Sequence, residues 1–255
     1  MKGDNIINPP QKHSPTRKKI RYISLCTLLF VSMISCVHRP IKESGSIADK
    51  IIEAYGGRER LAKVVSVAAE GRITTLMRDE AGIYRQALRK DQKLFIEVLN
   101  GRSTERRILD STRGFQGADG RVEEVFGSRY HAMVDQFNEL NLPFGLIDNT
   151  FSITELRKAN LQGADVRGLR LLDRAGNEIV VYVSTADHLI VKCMSTFENG
   201  LDSMNLSTEF SDFRSVGGIL FPFRIVNHIG GQLISDITIT AYLLNEPIAD
   251  TFFKP

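Results

Sequence analysis

The stretch from Phe210 to Ile225, FSDFRSVGGILFPFRI, holds two strand-like segments joined by a tight turn. Aromatic and β-branched residues on both sides of the turn are typical of strands, and Gly217-Gly218 supplies the positive φ angles that a hairpin needs. A second glycine turn follows at Ile229-Gly-Gly, before a strand predicted over Gln232 to Leu244. Connections this short force neighbouring strands to run antiparallel, so the pattern predicts consecutive hairpins.

Alternating apolar and polar residues continue in both directions from this stretch, from Val65 to Phe126 and again after Thr150. Glycine, asparagine and aspartate turns divide the second region into seven predicted strands. These are Phe151–Lys158, Val166–Asp173, Glu178–Ser184, Leu189–Phe197, Asn205–Phe213, Ile219–His228 and Gln232–Leu244. The fold class is therefore mainly β, in the α+β sense, with one long antiparallel meander that must close, curl or be covered to protect its edges.

Two segments have helical spacing instead. Ser46 is a suitable N-cap for a short helix that Gly56-Gly57 ends. Within the β region, Ser128 to Leu140 predicts an amphipathic helix whose apolar residues are Tyr130, Met133, Val134, Phe137 and Leu140. This helix can cover one face of a curved sheet, either over an apolar ligand cavity or packed shut as a dry core, and the pattern alone leaves both open.

The N-terminal region has the layout of a secretory signal. A basic cluster precedes the 12-residue apolar run from Ile23 to Ile34, which is too short for the roughly 20 residues of a membrane-spanning helix. The run ends in Met33-Ile34-Ser35-Cys36, which resembles the lipobox of bacterial lipoproteins and implies acylation of Cys36. Cys26 has almost no apolar run before it and is a poor cleavage site. An uncleaved anchor helix is the alternative interpretation.

The charge of the chain excludes a nucleic-acid partner. Of 33 Lys and Arg and 30 Asp and Glu residues, six basic and one acidic lie in residues 1–35, which leaves 27 against 29. Binding of nucleic acid requires an excess of basic residues on one face, and no such excess remains. Once residues 1–35 are removed and Cys36 is acylated, Cys193 has no partner for a disulfide, and its strand position predicts a buried structural thiol.

No motif for catalysis or metal binding is present. The sequence contains no nucleophile elbow, zinc helix, phosphate-binding loop or dinucleotide fingerprint. The histidines after Cys36 (His38, His131, His188 and His228) are scattered, with no second His or Cys at ligand spacing. We therefore predict no catalytic residue, no metal site and no cofactor.

Three stretches of the C-terminal region form a recurring pattern: Phe210-Ser-Asp-Phe-Arg-Ser-Val-Gly-Gly-Ile-Leu-Phe-Pro, Ile237-Thr-Ile-Thr, and Leu244-Asn-Glu-Pro-Ile-Ala-Asp-Thr-Phe-Phe. This pattern resembles that of the LolA/LolB-like family of outer-membrane lipoprotein-sorting proteins. The element from Ala54-Tyr-Gly-Gly to Leu61 is similar to the first helix of such proteins. In physical terms Asn245 and Pro247 stop the last strand, and Ile248, Phe252 and Phe253 can fold back as an apolar clasp.

The resemblance implies a curved, half-open antiparallel β-barrel with a few helices forming a lid over an acyl-chain cavity. The expected organisation is a lipoprotein signal peptide (1–35), a tether (36–45) and a lipid-binding domain (46–255). The expected ligand is a lipid or the acyl chains of a lipoprotein, with Tyr130, Met133, Val134 and Phe137 at the cavity. The expected location is the cell envelope, anchored by lipid at the outer membrane and facing the periplasm, with lipoprotein sorting or transport as a role. The alternatives are an envelope sensor with a protein partner on the same scaffold, and a hydrolase of unrecognised mechanism.

Overall fold

One antiparallel sheet organises the residues that the structure, a computed structural model, describes: 45–76, 80–200 and 202–255. The helices are α1 (Ile47–Ala54), α2 (Arg58–Ala62), α3 (Ser128–Leu140) and α4 (Phe144–Ile147), and a 3₁₀ turn covers Asp250–Phe253. The first six strands are β1 (Ser66–Thr75), β2 (Glu80–Arg89), β3 (Lys93–Asn100), β4 (Ser103–Asp110), β5 (Arg113–Ala118) and β6 (Arg121–Val125). The other seven are β7 (Phe151–Leu161), β8 (Ala164–Asp173), β9 (Glu178–Ser184), β10 (Ile190–Asn199), β11 (Asp202–Val216), β12 (Ile219–Ile229) and β13 (Gln232–Leu244).

The sheet order shows how the chain is threaded. The strands lie in the order β6-β5-β4-β3-β2-β1-β13-β12-β11-β10-β9-β8-β7. The described chain therefore enters in the middle at β1 and meanders outward to the edge strand β6. It then crosses through α3 and α4 to the opposite edge, β7, and meanders back until β13 pairs with β1. We call β1–β6 the first limb and β7–β13 the second limb.

The sheet curls around α3. This helix contacts β4 and β5 of the first limb and also β9 and β10 of the second. Six strands separate β4 from β10 in the sheet order, which in a flat sheet would place them roughly 34 Å apart. A 13-residue helix is only about 20 Å long and about 10 Å wide. Contact with both limbs therefore requires a strongly curved sheet, and because β6 and β7 do not pair, the barrel stays half open, as predicted.

The concave face carries the main core. Leu88, Leu94 and Leu109 are paired side by side across β2, β3 and β4 and are almost completely buried. The helices cover this face, and none of those in the described residues is long and apolar enough to span a bilayer. The predicted start of α1 at Ser46 is confirmed, since its side chain accepts a hydrogen bond from the Asp49 amide in a capping box. α3 has the predicted bounds, whereas α4 was not predicted.

The end of α1 docks on the β11–β12 hairpin at Gly217-Gly218. The Leu220 amide donates to the Tyr55 carbonyl at 3.1 Å. Gly56 has a φ of 120°, and a Cβ at this position would collide with the Gly218 carbonyl. Because both backbones must approach closely, glycine is required at Gly56. The buried Tyr55 hydroxyl also accepts from the Ile190 amide, which attaches α1 to β10.

A smaller core lies on the convex face of the first limb, under the predicted C-terminal clasp. Ile108 and Phe115 face outward there, and Phe253 packs on them fully buried. Phe252 contacts the Phe95 ring edge to face and is 51% exposed. The clasp is therefore confirmed, with Phe253 as its anchor.

Replacing Phe253 by Ala should lower the free energy of unfolding by about 3–4 kcal/mol, because a fully buried ring would leave a cavity. Replacing Phe252 by Ala should cost about 1 kcal/mol or less, because much of its surface already faces water. Urea unfolding of the two variants measures this difference. Equal losses at the two positions would contradict the assignment of Phe253 as the anchor.

Candidate ligand-binding cavity

Helix α3 presents different faces to the core and to the open side of the curved sheet. Val134 and Phe137 are buried in the main core, and Tyr130, one turn before Val134, packs half-buried against the same cluster. Arg129, Met133 and Gln136 follow at spacings of four and three residues and line a neighbouring face. The helix therefore fills part of the concave side and leaves space beside it.

This space is a cavity of about 520 Å³ between α3, β4, β5 and the strands β10–β13. Its apolar wall is formed by Met133 together with residues near the hairpin ends of the second limb. These are Phe197, Met204, Leu206, Ile229 and Ile234. Met204 and Ile229 are each more than a third exposed, as are Leu233 and Leu76 at the same end of the sheet. Exposed apolar side chains therefore border the mouth of the cavity on the side of the second limb.

A chain of polar side chains crosses the deeper wall of the second limb. Thr208 Oγ1 lies 2.9 Å from Glu139 Oε2 and 3.1 Å from Asn227 Oδ1, and Asn227 Nδ2 donates to Ser235 Oγ at 2.9 Å. The single Thr208 hydrogen can be donated fully to only one of its two acceptors. If Glu139 is protonated, it donates to Thr208, which donates onward to Asn227. With a neutral Glu139, each contact in this chain therefore has one donor and one acceptor.

The electrostatics of α3 agree with this arrangement. Burial raises the pKa of Glu139 to about 7, opposed by its hydrogen bond with Thr208 and reinforced by the charge of Asp135 one turn earlier. Burial and the carboxylate of Asp173 likewise raise the pKa of Asp135 to about 7. Burial alone would raise the pKa of Asp173, but hydrogen bonds from Asn177, Asn138 and the Ala175 amide together hold it below its usual range. Near neutral pH, α3 therefore carries two carboxyl groups that are only partly ionised.

A second, more open space of about 460 Å³ lies on the other side of α3, where Asp135 and His131 face the turn at Asn177. Most of its lining side chains are polar, and Ser195 borders both spaces. It lacks the apolar wall of the first cavity. No group of His, Cys, Asp or Glu residues in the described chain is arranged to hold a metal ion.

The structure places the four predicted ligand residues on two different faces of α3. Met133 lines the cavity, whereas Tyr130, Val134 and Phe137 lie on the core side of α3. Cys36 lies outside the described residues. Cys193 is fully buried, as predicted, and burial raises the pKa of its thiol. Sequence reasoning missed the polar wall. Its signal was present, because Thr208, Asn227 and Ser235 occupy register positions that pair across β11, β12 and β13.

Comparison with known proteins places this geometry in a recognised fold. No protein-family model matches the chain, and no curated protein matches it by sequence. A LolA superfamily protein from Nitrosomonas europaea superposes with a TM-score of 0.53 at 13% identity, over 83% of this chain and 99% of that one. A DUF1329 family protein from Desulfovibrio piger gives 0.53 at 13% identity, over 82% and 95%. A Vibrio parahaemolyticus domain named for outer-membrane lipoprotein sorting gives 0.51 at 13% identity, over 81% and 97%. The chain has a LolA-like fold.

The raised pKa of Glu139 predicts a pH-dependent stability. Between its ordinary value of about 4.5 and about 7, the folded protein keeps a proton that the unfolded chain releases, so the free energy of unfolding falls as pH rises through this window. Glu139→Gln cannot ionise and can still donate to Thr208. It should therefore gain stability relative to the unmodified protein between pH 5 and pH 8, on the order of 2 kcal/mol.

Urea unfolding at the two pH values measures this gain. Glu246→Gln, which changes an exposed carboxylate, is the matched control and should show no comparable gain. An identical pH dependence for Glu139→Gln and the unmodified protein would refute the assignment.

Proposed function

We propose that this protein is a lipid-anchored cell-envelope protein that binds a hydrophobic ligand, a lipid or the acyl chains of a lipoprotein, in the cavity beside α3. The observation that carries the proposal is a cavity of about 520 Å³ inside an open, curved sheet, with exposed apolar side chains bordering its mouth. Ligand sites are usually clefts of roughly 300–1,000 Å³ with mainly apolar walls and a few placed polar groups. Binding would draw on about 0.8 kcal/mol for each buried CH₂ group.

Within this proposal the role is binding without catalysis. Met133 and the apolar residues of β10–β13 contact the ligand, while Tyr130, Val134 and Phe137 hold α3 in place from the core side. A role in lipoprotein sorting is supported by the likeness to the Vibrio parahaemolyticus domain, whose name refers to that process. A location at the outer membrane, facing the periplasm, is supported by the same likeness and by the lipobox-like Met33-Ile34-Ser35-Cys36.

Filling the cavity tests the binding proposal. Ala132 on α3 lines the cavity and is only partly buried, so Ala132→Phe places a ring in the ligand space. Uptake of the neutral fluorescent probe N-phenyl-1-naphthylamine should weaken by about tenfold, in line with the cost of overpacking. Ala186→Phe makes the same change in an exposed turn and should bind the probe normally. Equal probe binding by both variants, or no uptake by the unmodified protein, would overturn the proposal.

Removing the acylated thiol tests the anchor. In bacteria expressing the full chain, Cys36→Ser should abolish labelling by radioactive palmitate and shift the protein from the membrane to the soluble fraction, since stable attachment requires more than one acyl chain. Cys26→Ser is the control and should leave labelling and attachment intact. Undiminished palmitate labelling of Cys36→Ser would exclude a lipid anchor at this residue.

A further inference from the structure

Two arginines form a positively charged patch on one wall of the cavity. Arg107 on β4 and Arg129 in the first turn of α3 both line the cavity, together with Gln116 and Gln136. Arg107 Nη1 donates to Gln136 Oε1 across a long 3.4 Å. Among the described residues, neither arginine takes part in an ion pair, although Arg106, next to Arg107, pairs with Glu97. Most donors of the two guanidinium groups are therefore free for a ligand.

Arg107 points into the half-barrel. In the sheet it pairs with Ile96 on β3 and with Gln116 on β5. Because Arg107 and Leu109 are two residues apart on the same strand, their side chains lie on the same, concave face. Its positive charge also lowers the pKa of the buried Tyr84 phenol, against the larger rise caused by burial. A half-buried guanidinium without a counter-charge is poorly solvated and favours an anionic acceptor.

The other titratable groups of the cavity do not neutralise these charges. Glu139 lies in the last turn of α3, where its carboxyl group hydrogen-bonds to Thr208. Burial raises its pKa, so this carboxyl group is largely protonated below about pH 7. His228 is the only histidine on the described cavity wall. Two permanent positive charges thus lie on the α3–β4 wall, while the hairpin ends of β10–β13 hold the apolar surface. This polarity matches an amphiphile with a negative head.

We propose that the cavity selects anionic amphiphiles, with a phosphate or carboxylate head against Arg107 and Arg129 and a hydrocarbon tail along Phe197, Met204, Leu206 and Ile229. This inference rests on the proposed function, because it requires that the cavity take up a hydrocarbon chain. It adds the charge class of the ligand and the residues that read it.

Ligands with the same tail and different heads test the charge preference. Hexadecyl phosphate, hexadecanoate, hexadecanol and hexadecyltrimethylammonium would compete with N-phenyl-1-naphthylamine for the full chain, below their micelle concentrations. At least one of the anions should bind about tenfold or more tighter than the alcohol, and the cation should bind most weakly. The two anions distinguish a phosphate site from a carboxylate site. High salt should reduce the advantage of the anion because it screens partly exposed charges.

Variants assign the preference to the arginines. Arg107→Gln and Arg129→Gln should each bring the affinity ratio of anion to alcohol toward one, while Arg107→Lys, which keeps the charge, should retain part of it. Arg129 is exposed, so its replacement does not threaten folding. Arg121→Gln, at the exposed start of β6 outside the cavity, is the matched control and should keep the full ratio.

The outcomes separate the two proposals. Probe uptake with equal binding of the four ligands, or a ratio unchanged by both Arg→Gln variants, would overturn the charge selectivity and leave the hydrophobic site standing. A full chain that binds neither the probe nor any of the ligands would overturn both.

Discussion

The structure depends on one connection: the chain must pass from edge strand β6 to edge strand β7, at opposite ends of a 13-stranded sheet. Helices α3 and α4 make this connection across the concave face. Because each end of the connection is tied to a strand, α3 lies between the limbs, and the sheet curls until both limbs contact it. The cavities follow from this arrangement, since a single helix is too narrow to fill a half-barrel of this size.

Strands and turns were predictable because their signals are local. β9, β13 and α3 have the predicted bounds, since alternation, glycine turns and helical spacing act over a few residues. The sheet order was not predictable in the same way. Pairing of β1 with β13 brings Val67 next to Leu244, and nothing in either segment specifies a partner so distant in sequence. α4 was missed because four residues are too few to establish a period.

The candidate site shows what helical spacing alone leaves open. The apolar stripe of an amphipathic helix predicts the surface that is most shielded from water, and this surface can be either a ligand cavity or the protein core. Here that surface is the core, which buries Val134 and Phe137. The face toward the cavity is mixed, with Arg129, Met133 and Gln136. In a helix between a core and a cavity, the face with mixed polarity therefore lines the cavity, as Arg129, Met133 and Gln136 do here.

The polar residues of the cavity also explain why it stays open. A space lined only by flexible apolar side chains loses dispersion contacts and tends to collapse. In this cavity, collapse would press the Arg107 guanidinium and the Glu139 carboxyl against apolar groups, and burying such groups without partners costs several kcal/mol. The Glu139–Thr208–Asn227–Ser235 chain satisfies the carboxyl side from within the protein. On the guanidinium side, Arg107 has a long 3.4 Å hydrogen bond to Gln136 but no ion pair among the described residues. Under the proposed charge preference, the head of a bound amphiphile would supply that missing counter-charge.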